Sequence, residues 1–430
     1  MYRNTLNLSF SAIFKIVIQL LVLAVSSRIL EPVDFGLIAI YTLVLSLFEV
    51  LVKQGLIQSY VKNATPSHKK LLCLAKYYLI NSVILFVFLY TLNFFFELSY
   101  ERFYKELIVL LCFSLLISIL SSLVVAHMSI TDQVDRIIST EIRASLISSL
   151  LICLPLLVLT QRWEVMVFVK LASDLVILSS VINKKIYSYL RVSFFSKLGM
   201  LNEIRPLMRF GFFITLARLF NVLSLRSHEL VIQSGFGMSQ LGSYNRANAL
   251  VNVPIEITNQ VLEKLFFPVM SKQRKHGQIP SNKQDTYSII FFLAMLLAFT
   301  GQAFSEVIIP FALGEQWYNI IGVFNLLLLF SVFRIFYKIN DVFIKSQGKA
   351  NFILYLNLIQ FSALVFLLLV FGYSDIFHVI NAVGLSYSLR YFLSLFLVKK
   401  LHVVFNSFYR SIFLAISYLF CVQWVVINAS

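Results

Sequence analysis

The stretch Tyr318–Ile344, YNIIGVFNLLLLFSVFRIFYKINDVFI, is apolar and long enough to cross a bilayer, yet it carries three charges. Arg334, Lys338 and Asp341 are spaced four and three residues apart, so on a helix they share one face. Charge at bilayer depth is expensive and faces a protein interior or a water-filled path. Similar charges recur in other apolar segments, at Lys15, Glu49, Lys53, Lys170, Asp174, Arg218, Arg226, Glu229 and Arg390. A chain that crosses the membrane many times and buries this much cation is expected to move something polar and anionic.

Composition sets the class. The chain has 430 residues, 59% hydrophobic and 13% charged, with a mean hydropathy of +0.84, which excludes an ordinary soluble domain. The apolar runs are continuous and near twenty residues long, whereas a membrane barrel would alternate over about ten. The expectation is an all-α integral membrane protein. Net charge is +16, and the loops hold much of it. With no basic soluble domain, nucleic acid is excluded as a partner, and anionic lipid head groups are the expected one. Cys73, Cys112, Cys153 and Cys421 lie in or beside apolar segments and form no CxxC pair, so they read as small core residues. The N-terminus, MYRNTLNLSF, lacks a cleavable-signal pattern, so the first helix is expected to remain.

Hydropathy places spanning helices at 8–28, 36–58, 72–96, 106–128, 142–160, 163–182, 208–234, 240–270, 286–312, 318–344, 351–373, 376–398 and 407–427. That makes twelve or thirteen spans. With the N-terminus in the cytoplasm, Lys62, Lys69, Lys70, Arg136, Lys184, Lys185, Arg191, Lys197, Arg205, Lys272, Arg274, Lys275, Lys283, Lys345, Lys349, Lys399 and Lys400 fall inside. Only Arg28, Arg102, Lys105 and Arg162 fall outside, as the positive-inside bias requires. Trp163, Trp317 and Trp424 land at the outer interface, where indole is favoured. The longest polar stretch divides the chain into an N-terminal six-helix lobe at 1–182, a basic linker at 183–207, a second six-helix lobe at 208–399 and an extra helix at 400–430. Phe35-Gly36 and Leu241-Gly242, each opening a helix after an outer turn, are a faint internal echo of such a repeat.

Each charged stripe has a functional and a structural reading. Asn7, Ser11, Lys15, Gln19 and Ser26 line one face of helix one, either as a cavity wall or as interhelical hydrogen bonding with a snorkelling lysine. Glu49 and Lys53 are four apart, as are Lys170 and Asp174, and either pair can neutralise itself. Arg218 is the deep cation of helix seven, while Arg226 and Glu229 approach its outer end. Arg246 sits near the mouth of helix eight, ahead of Glu256, Asn259, Gln260 and a candidate kink at Pro254. Arg334 and Lys338 repel each other unless an anion or Asp341 intervenes. Arginine and lysine in such a cavity suit phosphate oxygens. Asp341, Glu49, Asp174 and Glu229 are the groups that could carry a coupling ion. The sequence has no Walker loop, G-x-S-x-G, H-E-x-x-H or His/Cys cluster, so no catalytic residue, metal or cofactor is expected.

Three blocks resemble a known group. The first runs RILEPVDFGLIAIYTLVLSLFEVLVKQGLIQSYVKN, with Arg28, Leu30, Pro32, Phe35-Gly36 and Gly55-Leu56. The second has Leu241-Gly242, Tyr244, Ala247, Pro254 and Phe267-Pro268 through Ser271. The third is GEQWYNIIGVFNLLLLF, a Gly-x-x-Trp before helix ten, with Gly348 later. In order and spacing they are similar to the Wzx-type polysaccharide transporters of the multidrug/oligosaccharidyl-lipid/polysaccharide (MOP) exporter superfamily. The match departs at Ser227-His228-Glu229-Leu230, where Gln233 replaces a glycine, so a role attached to the family's acid there passes to Glu229 or is absent.

The resemblance implies a V-shaped, two-lobe transporter with a cationic cavity in the bacterial inner membrane. Such proteins flip undecaprenyl-pyrophosphate-linked oligosaccharides, the repeat units of O-antigen or another surface polysaccharide, to the outer leaflet. A polysaccharide polymerase and a chain-length regulator are the candidate partners. On this reading Arg218, Arg334, Lys338, Lys15, Lys53, Arg226 and Arg246 are the substrate cations. Two alternatives remain: a drug/cation antiporter of the same superfamily, which would want an acidic cavity, and a membrane polysaccharide polymerase, which would want a large outer loop or an acidic loop motif.

Overall fold

A computed structural model describes residues 2–53, 55–62, 68–95, 103–131, 134–181, 200–261, 284–347, 349, 351–371, 375–400, 413–419 and 421–423. Much of the linker at 183–207, parts of the last segment, and Phe267, Pro268, Ser271 and Gly348 lie outside them, as do the side chains of Asn7, Ser11 and Gln260.

The described chain is helical: α1 (Tyr2–Ile29), α2 (Pro32–Lys53), α3 (Leu56–Lys62), α4 (His68–Phe95), α5 (Phe103–Ile130) and α6 (Val134–Ser145). A π-helix over Leu146–Cys153 leads into α7 (Leu154–Thr160), followed by α8 (Glu164–Val181). Met200–Val261 is broken only at Gly237 (φ 85°, ψ 176°), which separates α9 (200–236) from α10 (238–261). Pro254 does not interrupt α10; the break belongs to the residue without a Cβ. Then come α11 (Gln284–Ala303), α12 (Ser305–Leu313), a 3-10 turn over Glu315–Ile320, α13 (Ile321–Ser346), α14 (Asn351–Phe371), α15 (Ile376–Lys400) and α16 (Phe413–Gln423).

Among the described residues seven helical stretches are long and apolar enough to cross a membrane, and the α11–α12 pair, bent by 74°, makes an eighth. The charge-bearing α8 and α9 are not among them. Helices suit lipid because every backbone group is satisfied within the segment. The protein is therefore a polytopic α-helical membrane protein.

The helices pack into two compact units, one of Met1–Ala39 with Phe220–Ser430 and one of Ile40–Leu219. The larger unit is built on α13, which packs against α11 and α15 through rings. Phe291 meets Phe336 at 4.7 Å between centroids, and Phe333 meets Tyr391 at 5.8 Å. Gly384 on α15 leaves the space that the Phe330 ring fills. The described part of the thirteenth apolar segment belongs to this core: Tyr418 of α16 is buried and its hydroxyl donates to Leu329 O at 2.8 Å.

In the smaller unit α5 packs against α4, α3 and α8. Tyr78 of α4 donates to Lys53 O at 2.9 Å, satisfying a carbonyl left open where α2 ends. Gly55 follows in the left-handed region (φ 59°), and its bare Cα faces Gly211 O at a distance that no methyl would fit. Val52, Leu56, Tyr60, Tyr78, Leu123 and Leu207 bury this junction.

Candidate functional site

The charges predicted on single helices find their partners on neighbouring ones. In the smaller unit Glu49 is a hub. Its Oε1 accepts from Lys170 Nζ at 2.6 Å and from Ser118 Oγ at 2.6 Å, and its Oε2 lies 3.4 Å from Lys53 Nζ. Lys53 also reaches Ser118 Oγ at 3.5 Å. The Lys170–Asp174 pair expected from spacing is replaced: Lys170 bonds Glu49 of another helix, while Asp174 Oδ1 accepts from Ser121 at 2.8 Å. Asp174 Oδ2 is buried and has no hydrogen-bond partner among the described residues. In the orientation that satisfies both groups, the Gln58 amide oxygen accepts from Arg218 Nη2 and Nη1 at 2.5 and 2.8 Å. Arg218 is thus held by a neutral group.

The larger unit divides the α13 stripe. Asp341 is taken by Arg390 of α15, Nη2 to Oδ2 at 2.7 Å. Arg390, 1% exposed, also donates to Gln360 Oε1 at 2.7 Å and to Asn357 Oδ1, and stands 4.3 Å over the Tyr337 ring. Asp341 therefore serves an arginine that is not on its own helix, and Arg334 and Lys338 form no ion pair among the described residues. Arg334 Nη1 donates to Asn252 Oδ1 of α10 at 2.6 Å, with its guanidinium 5.7 Å from the Tyr387 ring. Lys338 Nζ lies 5.7 Å from the Tyr337 ring. Two cations beside an amide and phenol rings, neither in an ion pair among the described residues, suit an anion-binding wall.

The remaining candidates take other places. Lys15 and Arg226 are half-buried. Glu229 is buried, and its Oε2 has no hydrogen-bond partner among the described residues. Beside it His228 Nε2 shares a hydrogen with Tyr244 OH at 2.6 Å. Arg246 is buried, 3.7 Å above the Phe35 ring, with Nη2 donating to Asn245 Oδ1 at 3.3 Å.

Ser118, Ser121, Asn252, Asn357, Gln360 and Tyr387 were missed in the sequence. Ser114, Ser118 and Ser121 step by four and three, and Asn357 and Gln360 by three, so a search for polar stripes without charge would have found them. Trp317 and Trp163 are buried against protein, and Trp317 Nε1 donates to Ser27 O at 2.7 Å. Trp424 lies outside the described residues.

The three sequence blocks meet in space. Arg28, Pro32, Phe35 and Gly36 of the first contact Gly242 and Arg246 of the second and Gly314 and Trp317 of the third. This convergence gives the blocks a common structural cause. Residues 22–322 match a family model described as polysaccharide biosynthesis protein.

The chain belongs to the polysaccharide biosynthesis protein family.

Its similarities to individual relatives are low. It is 22% identical over 156 residues to the teichuronic acid biosynthesis protein TuaB of Bacillus subtilis (strain 168), covering 36% of this chain and 32% of that protein. It is 26% identical over 135 residues to the lipopolysaccharide biosynthesis protein WzxC of Escherichia coli (strain K12), covering 31% and 27%. An uncharacterized membrane protein in the cps region of Klebsiella pneumoniae matches more fully, 23% identical over 77% of this chain and 68% of its own. The matches thus span about a third or less of the TuaB and WzxC chains. In fold the family member is similar to the lipid II flippase MurJ in an inward closed conformation, with a TM-score of 0.67, 13% identity, and 97% and 98% of the two chains covered. It is also similar to an inward-facing multidrug resistance MATE family transporter of the MOP superfamily, with a TM-score of 0.59, 14% identity, and 91% and 98% covered. The MOP-type fold expected from the three blocks is present.

Proposed function

We propose that this protein flips undecaprenyl-pyrophosphate-linked oligosaccharide repeat units from the cytoplasmic to the outer leaflet of the bacterial inner membrane, by alternating access of two lobes. The observation that carries the reading is the half-buried pair Arg334 and Lys338, which form no ion pair among the described residues and stand beside Asn252, Tyr387 and Tyr337. Ionisable groups within spanning helices pair with one another or mark a substrate path, and these two cations make no such pair among the described residues. A pyrophosphate diester supplies the matching charge, and a guanidinium can grip two of its oxygens at once. Family membership and the MurJ-like fold support transport of a lipid-linked saccharide. Arg218, whose guanidinium is held by the neutral Gln58 amide, is a further cation offered to the anion.

The ion-coupling role narrows. Asp341 and Glu49 are occupied by Arg390 and by Lys53 with Lys170. Asp174 and Glu229 each keep a buried carboxylate oxygen without a hydrogen-bond partner, and one or both carry the coupling ion in this reading.

The test is a chromosomal deletion followed by fractionation of undecaprenyl-linked saccharides. The reading expects surface polysaccharide to vanish and complete repeat units to accumulate on the cytoplasmic face. An Arg334→Ala/Lys338→Ala variant present in the membrane at normal level should fail to restore export. Normal export by that variant would remove the assignment.

A further inference from the structure

One face of α10 carries polar groups that the cation pair leaves unused. Asn252, Glu256 and Asn259 are spaced four and three residues apart, so on this helix they form one stripe. Asn252 fixes where the stripe points. Its Oδ1 accepts from Arg334 Nη1 at 2.6 Å, which turns that face of α10 toward Arg334 of α13. Glu256 follows one turn later, about 6 Å along the helix axis, and Asn259 about 4.5 Å beyond that. Arg334 is close enough to act electrostatically on the Glu256 carboxylate. Even so, Glu256 is in no ion pair among the described residues. Glu256 is exposed, and Asn252, Asn259, Arg334 and Lys338 are each half-buried. All five side chains keep accessible surface, and a ligand held at Arg334 is within reach of the stripe.

A carboxylate beside a cation pair works against an anionic ligand, because it repels the ligand's own charge. It gains a use when the ligand carries hydroxyls next to its anion. An ionised carboxylate accepts hydrogens from two hydroxyls, and a side-chain amide both donates and accepts. Asn252 has its oxygen on Arg334, and its NH2 group points to donation. Donor and acceptor groups one turn apart match the row of hydroxyls along a saccharide. The same carboxylate penalises an acidic sugar by like-charge repulsion.

We propose that Asn252, Glu256 and Asn259 bind the sugar joined to the pyrophosphate, and that Glu256 selects an uncharged, hydroxyl-bearing sugar over an acidic one at that position. The proposal rests on the transport reading above. It divides the work between two helices: the α13 cations take the phosphates and the α10 stripe takes the saccharide.

The experiment measures binding of three lipids to the purified full-length protein in detergent, by titration followed with native mass spectrometry. The probes are undecaprenyl pyrophosphate, undecaprenyl pyrophosphoryl glucose and undecaprenyl pyrophosphoryl glucuronic acid. The parent should bind the glucose lipid more tightly than either other probe. Glu256→Ala should weaken the glucose lipid about tenfold, the loss of hydrogen bonds to a charged group, without weakening the bare pyrophosphate. Glu256→Gln, which keeps the shape and removes the charge, should narrow the gap between glucuronic acid and glucose. Equal shifts of the glucose and bare lipids in Glu256→Ala, in either direction, would overturn sugar recognition by Glu256. A parent that binds the glucuronic acid and glucose lipids equally would overturn the charge selection. Asn259→Ala, which leaves the charges intact, should also weaken the glucose lipid alone; an unchanged affinity would remove Asn259 from the sugar site. Failure of the transport reading shows differently, as bare undecaprenyl pyrophosphate binding that Arg334→Ala/Lys338→Ala leaves unchanged.

Discussion

Replacing Arg390 with methionine should be among the most destabilising single changes in the larger unit. The guanidinium is 1% exposed and satisfies Asp341, Gln360 and Asn357 at once, with the Tyr337 ring against its face. Removing it strands the Asp341 carboxylate, whose side chain is 6% exposed, without its cation. Breaking a buried pair from one side costs about 3–5 kcal/mol, because the remaining charge has no water to turn to. That is roughly two to three and a half powers of ten in the unfolding equilibrium. The double variant Arg390→Met/Asp341→Leu removes both charges and should recover most of the loss. It leaves Gln360 and Asn357 short of a donor, a residual cost of about 1–3 kcal/mol. Unfolding of purified protein in detergent, followed by denaturant titration, measures all three species. A single variant costing under about 1 kcal/mol, or a double variant no more stable than the single, would refute the reasoning. The same double variant also tests function: export retained means that Asp341 serves Arg390, and export lost from a folded protein means that Asp341 serves the transport cycle.

Gly384→Ala should destabilise by about 1–3 kcal/mol through overpacking against the Phe330 ring, and Phe330→Leu in the same chain should relieve it; thermal unfolding of the two variants checks the order. Glu49→Gln should cost about 1–3 kcal/mol, since it removes the carboxylate that holds Lys53, Lys170 and Ser118 together. Adding Lys170→Met should restore part of that, and denaturant titration showing a further loss instead would remove Glu49 from its role as hub.

Much of the fold was legible because lipid is a simple solvent. A backbone in hydrocarbon must satisfy itself, so a long apolar run has few choices other than helix. The expected segments at 351–373 and 376–398 correspond to Asn351–Phe371 and Ile376–Lys400 for that reason. Breaks were less legible. Pro254 was the expected kink, but an X-Pro step can be absorbed within a membrane helix, while Gly237 can enter a backbone region closed to other residues.

By itself the sequence determined which residues are charged, which helix bears them and which face they share, because helical spacing is local. It also marked the three blocks that the fold brings into contact. Only the tertiary structure decided which charge meets which. Lys170 takes Glu49 of α2 over Asp174 one turn away, and Asp341 takes Arg390 of α15 over Lys338 on its own helix. A pair four apart on one helix must bend toward each other over an apolar surface, whereas a residue on a packed neighbour already faces it across the interface. Which cations remain for a ligand follows from that choice, and spacing along one helix carries no information about it.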